Sequence, residues 1–148
     1  MSLFLLMRWP GAEVLRVWDG TSAVEAFAEE DPDLVILDLS LPDVSGYAVL
    51  DRFRVASSVP IIVPSFGDDA EEKARALGAG ANDYMSKPCV GAVFLARVQA
   101  LLRRPRLAPS PQQRAARMLA THTPLKGSIS RLRRSFSWID ADGQSGRG

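Results

Sequence analysis

Cysteine and histidine are almost absent from this sequence, which has one of each, Cys89 and His122, among 148 residues. A single cysteine cannot form an internal disulfide, so a disulfide-stapled fold is excluded and a reducing cytoplasm is the expected compartment. No apolar run approaches the roughly 18 residues that a bilayer-spanning helix needs, so we expect no membrane segment. The apolar start, residues 2–7, has no basic residue before it and no small-residue cleavage pattern, which argues against a signal peptide.

Charge is divided unevenly along the chain. Residues 1–102 hold 15 acidic and 8 basic residues, whereas residues 103–148 hold 2 acidic and 10 basic residues. The overall composition, 47% hydrophobic and 24% charged, is that of an ordinary globular protein. We therefore predict one acidic domain over 1–104, followed over 105–148 by a proline-rich linker and a basic extension. We expect that extension to be mostly disordered, because so short a segment buries little core.

Strand-like and helix-like stretches alternate along the acidic domain. The run 34–37 is unbroken apolar, as expected of a parallel strand covered on both faces. Ser22 and Glu25 have the spacing of a capping box at the start of the first helix. The alternation predicts an α/β fold, a doubly wound parallel sheet with helices on both faces. The predicted strands are 14–17, 34–37, 59–63 and 81–85, and the predicted helices are 21–30, 47–55, 68–77 and 90–103.

Three chemically active side chains follow the predicted strands. Asp38, Ser65 and Lys87 each come at or just after a strand end. Because ligands bind outside the carboxyl ends of parallel strands, we expect a carboxylate, a hydroxyl and an ammonium to meet at one edge. This set suits phosphoryl transfer to the carboxylate, with the other two groups holding phosphoryl oxygens and Mg²⁺ neutralising charge. Taken singly, the three could also be a turn aspartate, a loop serine and a solvated lysine.

The segments that carry these residues resemble the receiver domain of bacterial response regulators. DLVILDLSLPDVSGYAVL, VPIIVPSFGDDAEEKARALGAGANDYMSKP and FLARVQALLRR show the resemblance, which runs from about residue 9 to residue 104. The details are most similar to the OmpR/PhoB-type transcriptional regulators within the CheY-like receivers. The resemblance implies a flavodoxin-like sheet in the order 2-1-3-4-5 and a signalling module that is not an enzyme.

The resemblance also implies a role for each residue of the set. Asp38 matches the phosphoacceptor, Ser65 the switch hydroxyl and Lys87 the phosphate-binding lysine. Tyr84 matches the switch aromatic, and the Lys87–Pro88 peptide bond is expected to be cis, as only X-Pro bonds commonly are. The implied partners are a sensor histidine kinase, a second copy through the last helix-strand-helix face and, by family analogy alone, DNA.

The expected Mg²⁺ site is incomplete in this sequence. Asp38 and the carbonyl of Ser40 match two metal ligands, but the acidic pair that ends the family's first strand has no counterpart. Residues 1–9 match only the end of the following helix, so we expect a receiver truncated at its N-terminus that lacks its central strand. If residues 3–7 do form a strand, residues 8–11 are too few for a parallel crossover and permit only an antiparallel hairpin.

Two further departures bear on function. Pro64 removes a ladder donor from a central strand and could displace Ser65. The tail carries Arg131, Arg133 and Arg134, which could bind nucleic acid but fit a solvated basic segment better. The leading hypothesis is a phosphorylated relay to transcription control; the alternative is a non-phosphorylated interaction module or an inactive gene fragment.

Overall fold

The computed structural model describes residues 4–8, 13–89, 91–105, 107–120, 130–132, 137–139 and 145–147. Within this part of the chain, no helix is long and apolar enough to cross a membrane. The strands are β1 Phe4–Arg8, β2 Glu13–Val17, β3 Leu34–Leu37, β4 Ile61–Ser65, β5 Asp83–Ser86, β6 Ser130–Leu132, β7 Ser137–Ile139 and β8 Ser145–Arg147. The helices are α1 Gly20–Glu30, α2 Gly46–Ala56, α3 Ala70–Gly78, α4 Gly91–Leu102 and α5 Pro111–Ala120.

The main sheet has the strand order β5-β4-β3-β1-β2-β6. β3, β4 and β5 are parallel, and β1 is antiparallel to both of its neighbours, β2 and β3. β2 therefore runs in the same direction as β3, so the four predicted strands keep one direction. This confirms the predicted α/β fold built on a parallel sheet.

The prediction that the central strand is lacking was wrong, because β1 occupies that position. Phe4 pairs with Val17 on one side and with Leu37 on the other. Only residues 9–12 separate β1 from β2, too few for a parallel crossover, so the pair forms a hairpin. The inserted strand gives β2 and β3 partners for backbone groups that would otherwise remain unpaired.

Helices cover both faces of the sheet, as predicted. On one face, α1, α2 and α3 enclose the larger apolar cluster, in which the Phe27 and Phe53 rings stack with centroids 4.1 Å apart. On the other face, Val98 and Leu101 of α4 pack with Leu34 and Ile62 in a smaller cluster. β3 is therefore buried on both faces, which explains its unbroken apolar sequence.

The capping-box pattern predicted that Ser22 caps the first helix. Two aspartates cap it instead. Asp19 is the N-cap residue, and its carboxylate accepts hydrogen bonds from the backbone and the hydroxyl of Ser22. Asp43 reaches the same turn from the loop after β3 and accepts from the backbone N–H groups of Gly20 and Thr21. Two carboxylates thus satisfy donors that the start of a helix leaves without partners.

Part of the predicted extension, 105–148, forms regular secondary structure in the described part of the chain. Residues 111–120 form α5, and Gln113 Nε2 donates to the backbone carbonyl of Arg54 on α2 at 3.5 Å. Ser110 accepts from the backbone of Gln113 and so caps the new helix. β6 pairs antiparallel with β2 at the edge of the sheet. Packing against α2 supplies the contacts that this short helix cannot obtain alone.

Candidate functional site

Asp38 directly follows β3 and is 5% exposed. Its Oδ2 accepts a hydrogen bond from Lys87 Nζ at 2.6 Å, and its Oδ1 accepts one from the backbone N–H of Ser40 at 2.8 Å. Both carboxylate oxygens therefore have partners, as a buried carboxylate requires. The strand ends place this carboxylate at the edge where the sequence predicted it.

Lys87 lies one residue beyond β5 and provides the positive charge beside Asp38. The Lys87–Pro88 peptide bond is cis, and the backbone N–H of Lys87 donates to the Ser65 carbonyl at 2.7 Å. The ammonium also lies 4.5 Å from the centroid of the Phe66 ring, within the range of a cation–π contact. These contacts hold the ammonium over the carboxylate.

Ser65 and Tyr84 share one acceptor. Ser65 ends β4, and its hydroxyl donates to Glu72 Oε2 at 3.2 Å. The hydroxyl of Tyr84, in β5, donates to the same oxygen at 3.1 Å. Burial raises the pKa of Tyr84, a hydrogen bond with Ser65 lowers it, and the hydrogen bond and charge of Glu72 raise it; the net shift is upward. The structure thus pairs Asp38 with Lys87, whereas the Ser65 hydroxyl is bonded to α3 and not to Asp38.

Pro64 does not remove Ser65 from the strand end. β4 includes Pro64, which pairs in register with Met85, and Ser65 pairs with Ser86. Pro64 has no backbone N–H to donate, but the next residue pair of the ladder, Ser65 with Ser86, is retained. The serine therefore stays at the edge of the sheet that carries Asp38.

Sequence reasoning missed Glu72 and Phe66. Glu72 lies in an acidic first turn of α3, where a glutamate is ordinarily read as favouring the helix dipole. Phe66 is 80% exposed and sits in a loop, so no apolar periodicity marks it. Only the three-dimensional packing shows that Glu72 contacts two hydroxyls and Phe66 contacts an ammonium.

The described residues near Asp38 do not fit a protein-bound Mg²⁺. No group of three or more His, Cys, Asp or Glu side chains in this part of the chain could hold a metal. Asp38 and the Ser40 carbonyl are the two predicted ligands, and both carboxylate oxygens of Asp38 are already bonded, to Lys87 and to the backbone N–H of Ser40. β1 contains no acidic residue, and its antiparallel direction puts its C-terminal end, Arg8, at the opposite edge of the sheet. The inverted central strand therefore brings no carboxylate to Asp38.

A family model and many curated proteins match this chain. The family model described as "Response regulator receiver domain" matches residues 3–99. The transcriptional regulatory protein KdpE of Mycobacterium tuberculosis is 47% identical over 94 residues, which are 64% of this chain and 42% of KdpE. The sensory transduction protein RegX3 of Mycolicibacterium smegmatis is 41% identical over 102 residues, 69% of this chain and 45% of RegX3. The chain spans less than half the length of these relatives.

Solved receiver domains have a similar fold. The BeF3-activated N-terminal receiver domain of Klebsiella pneumoniae RstA is 35% identical with a TM-score of 0.57, and the alignment covers 60% of this chain and 75% of that one. A two-component response regulator from Clostridium difficile is 26% identical with a TM-score of 0.57, and there the alignment covers 60% and 73% of the two chains. The fold and the sequence comparisons agree on one family.

Proposed function

The chain belongs to the response regulator receiver domain family of two-component systems, and from that premise we propose that Asp38 is its phosphoacceptor. The proposed donor is the phosphohistidine of a sensor histidine kinase, the class of partner with which receivers of transcriptional regulators interact. The observation that carries the proposal is the 2.6 Å contact between Lys87 Nζ and Asp38 Oδ2 at the C-terminal edge of the parallel strands. Response regulators act in signalling and not, in the main, as enzymes.

In the proposed reaction, a carboxylate oxygen of Asp38 attacks the phosphorus atom of the donor. An O–P bond forms, the N–P bond to the histidine breaks, and the imidazole leaves with the bonding electron pair. Lys87 offsets the charge and holds one phosphoryl oxygen, and the Ser65 hydroxyl donates to another after it leaves Glu72. Receivers generally bind Mg²⁺ at this site, but the residues described around Asp38 do not fit the ion. The roles proposed for this chain are therefore those of its own side chains.

The proposed output face consists of α3, β5 and α4, the last helix-strand-helix unit of the domain. Tyr84 in β5 connects the phosphorylation edge to this face. Arg97 of α4 and Asp83 of β5 form an ion pair across it, at 2.7 Å. We propose that a second copy of the chain or another partner contacts this face, in the cytoplasm, and that transcription control is the result. The chain covers less than half of KdpE and RegX3, so DNA binding is proposed by analogy only.

One observation favours a second candidate function, an interaction module that works without phosphorylation. Within the described part of the chain, no acidic cluster accompanies Asp38, whose two oxygens are already bonded to Lys87 and Ser40. Such a domain would present the same face permanently. The two candidates differ in one measurable property, the uptake of a phosphoryl group.

The test is the intact mass of the protein after incubation with Mg²⁺ and phosphoramidate, a small phosphodonor. We expect one phosphoryl group on the parent and on the Asp51→Asn control, which changes an exposed aspartate of α2, and none on Asp38→Asn. Uptake by Asp38→Asn would refute the assignment. A parent that melts cooperatively but gains no mass would favour the contact-only module, and one that lacks a cooperative melt would favour an inactive fragment.

A further inference from the structure

A cavity of about 660 Å³ lies at the end of the sheet opposite to Asp38. Asp33, Pro60 and Asn82 line it, and they are the residues immediately before β3, β4 and β5. Because these strands are parallel, the residues that precede them meet at one edge and the residues that follow them meet at the other. The C-terminal end of α4 and the segment after it form the remaining walls of this space, the basal cavity.

The walls of the basal cavity are largely apolar. Leucines and prolines from three segments contribute to them: Pro60, Leu101, Leu102, Pro105 and Leu107. The hydroxyl of Ser58 donates to the Leu107 carbonyl at 3.4 Å, which connects the segment after α4 to the loop before β4. The Leu107 residue is nevertheless 73% exposed, and an apolar occupant would remove it from water. Apolar cavities of about 300–1,000 Å³ are typical of small-molecule sites.

The charged groups of the walls favour an anion. Arg103 and Arg104 directly follow α4 and line the cavity together with Asp33. Among the described residues, neither guanidinium forms an ion pair or a hydrogen bond, whereas Asp33 has an interaction of its own. The uncompensated charge of the cavity is therefore positive. Cations after a helix also complement its dipole, a role that needs no ligand, so a binding measurement must separate the two roles.

Asn82 adds a neutral donor to the same walls. Its Oδ1 accepts a hydrogen bond from Arg54 Nη2 at 2.6 Å and one from the backbone N–H of Ile61 at 2.8 Å. These two donors fix the orientation of the amide, so the remaining polar atom is the nitrogen with its two N–H groups. The described part of the chain contains no acceptor bonded to that nitrogen. Asn82 therefore retains donors for a ligand.

We propose that the basal cavity binds a small amphipathic anion, a molecule with an apolar ring or chain and one carboxylate, sulfonate or phosphate group. The apolar body lies against the leucines and prolines, and the anionic group accepts hydrogen bonds from Arg103 and Arg104. A cationic ligand of the same shape would meet uncompensated positive charge. This binding goes beyond the function proposed above and does not depend on phosphorylation of Asp38.

The first test separates the charge from the apolar body. Anilinonaphthalene sulfonate has an aromatic body with one sulfonate, and phenylnaphthylamine has the same body without it; fluorescence titration measures the dissociation constant of each. We expect one saturable sulfonate site per chain. Combining Arg103→Gln with Arg104→Gln should weaken this site roughly tenfold, because charge-assisted bonds are lost, and should leave the affinity for the neutral probe unchanged.

The control combines Arg16→Gln with Arg52→Gln, which removes the same charge from two exposed arginines outside the basal cavity. It should change the affinity for neither probe. An equal loss of sulfonate affinity in the two double variants would overturn the proposal. So would the absence of a saturable site in a parent that melts cooperatively.

The second test fills the basal cavity. Ser58→Phe adds a ring to a residue that lines it, whereas Ser58→Ala does not. We expect Ser58→Phe to abolish the binding of both probes and Ser58→Ala to retain it. If Ser58→Phe does not melt cooperatively, Gln99→Phe, at an exposed position of α4 that also lines the cavity, is compared with Gln99→Ala. Parent-like affinities in a folded phenylalanine variant would place the probes elsewhere and overturn the proposal.

Discussion

Lys87 Nζ lies 2.6 Å from Asp38 Oδ2, although the two residues are 49 positions apart in the chain. The side chains are 19% and 7% exposed, so the pair is largely removed from water. A buried carboxylate without a countercharge is unfavourable, and Lys87 supplies that charge here. The same contact carries the proposed function and contributes to the stability of the domain.

Removal of Lys87 should destabilise the protein. We expect Lys87→Ala to lower the free energy of unfolding by about 1–3 kcal/mol, because Asp38 then remains buried with a lost partner. The measurement is urea denaturation at pH 7. Lys73→Ala, which changes an exposed lysine of α3, is the control and should stay within about 0.5 kcal/mol of the parent. Equal stabilities of the two variants would contradict the importance assigned to the ion pair.

Asp43 should make stability dependent on pH in the acid range. The backbone hydrogen bond from Gly20, with others from Thr21, lowers the pKa of Asp43 from 3.8 to about 2. Because the folded pKa lies below the unfolded one, the stabilisation is complete above pH 3.8 and is lost as the pH falls through about 2. The stability difference between parent and Asp43→Asn should therefore shrink over this window in urea titrations. A stability difference between parent and Asp43→Asn that stays constant over this pH window would refute the assignment.

Arg54 should contribute substantially to the stability of the fold, at the end of the sheet opposite to Asp38. Its guanidinium donates to the carbonyls of Gly80 and Val59 and to Asn82 Oδ1, each at 2.6 Å. Arg54→Met would remove these charge-assisted bonds, although Asn82 Oδ1 would keep the backbone N–H of Ile61 as a donor. The loss should cost about 2–3 kcal/mol of unfolding free energy. Arg52→Met changes an exposed arginine of the same helix and should have little effect. Similar urea midpoints for both variants would show that the guanidinium bonds contribute nothing net.

The direction of β1 can be tested by crosslinking. In the antiparallel hairpin Phe4 pairs with Val17, whereas a parallel arrangement would bring Phe4 near Glu13. In a Cys89→Ser background, we expect oxidation to link Phe4→Cys with Val17→Cys efficiently and to link Phe4→Cys with Glu13→Cys poorly. Mass spectrometry after proteolysis identifies the link. Preferential linkage of the second pair would reverse the assigned direction of the central strand.

The strand ends were the most predictable part of the site. Asp38 and Ser65 each follow a short apolar run and Lys87 follows a short predicted strand, and parallel strands necessarily bring such positions to one edge. Glu72 was not predictable, because a glutamate in a helical first turn has the same local pattern whether it meets water or two hydroxyls. Asp43 was missed for a similar reason. An aspartate beside a proline in a loop has the pattern of a turn residue, and the helix residue that it contacts, Gly20, is 23 positions away in the sequence.

Local sequence alone determined the alternation of elements, the α/β fold class and the placement of the phosphoacceptor candidate, because each depends on periodicity or on a strand end. Tertiary structure decided the direction of β1, the order in α5 and the partners of Ser65. β1 runs antiparallel because four residues, 9–12, must return the chain beside it. α5 is ordered because α2 offers it a surface, and Ser65 faces Glu72 because α3 packs there. Each of these outcomes depends on contacts between distant segments, which the local pattern of residues does not encode.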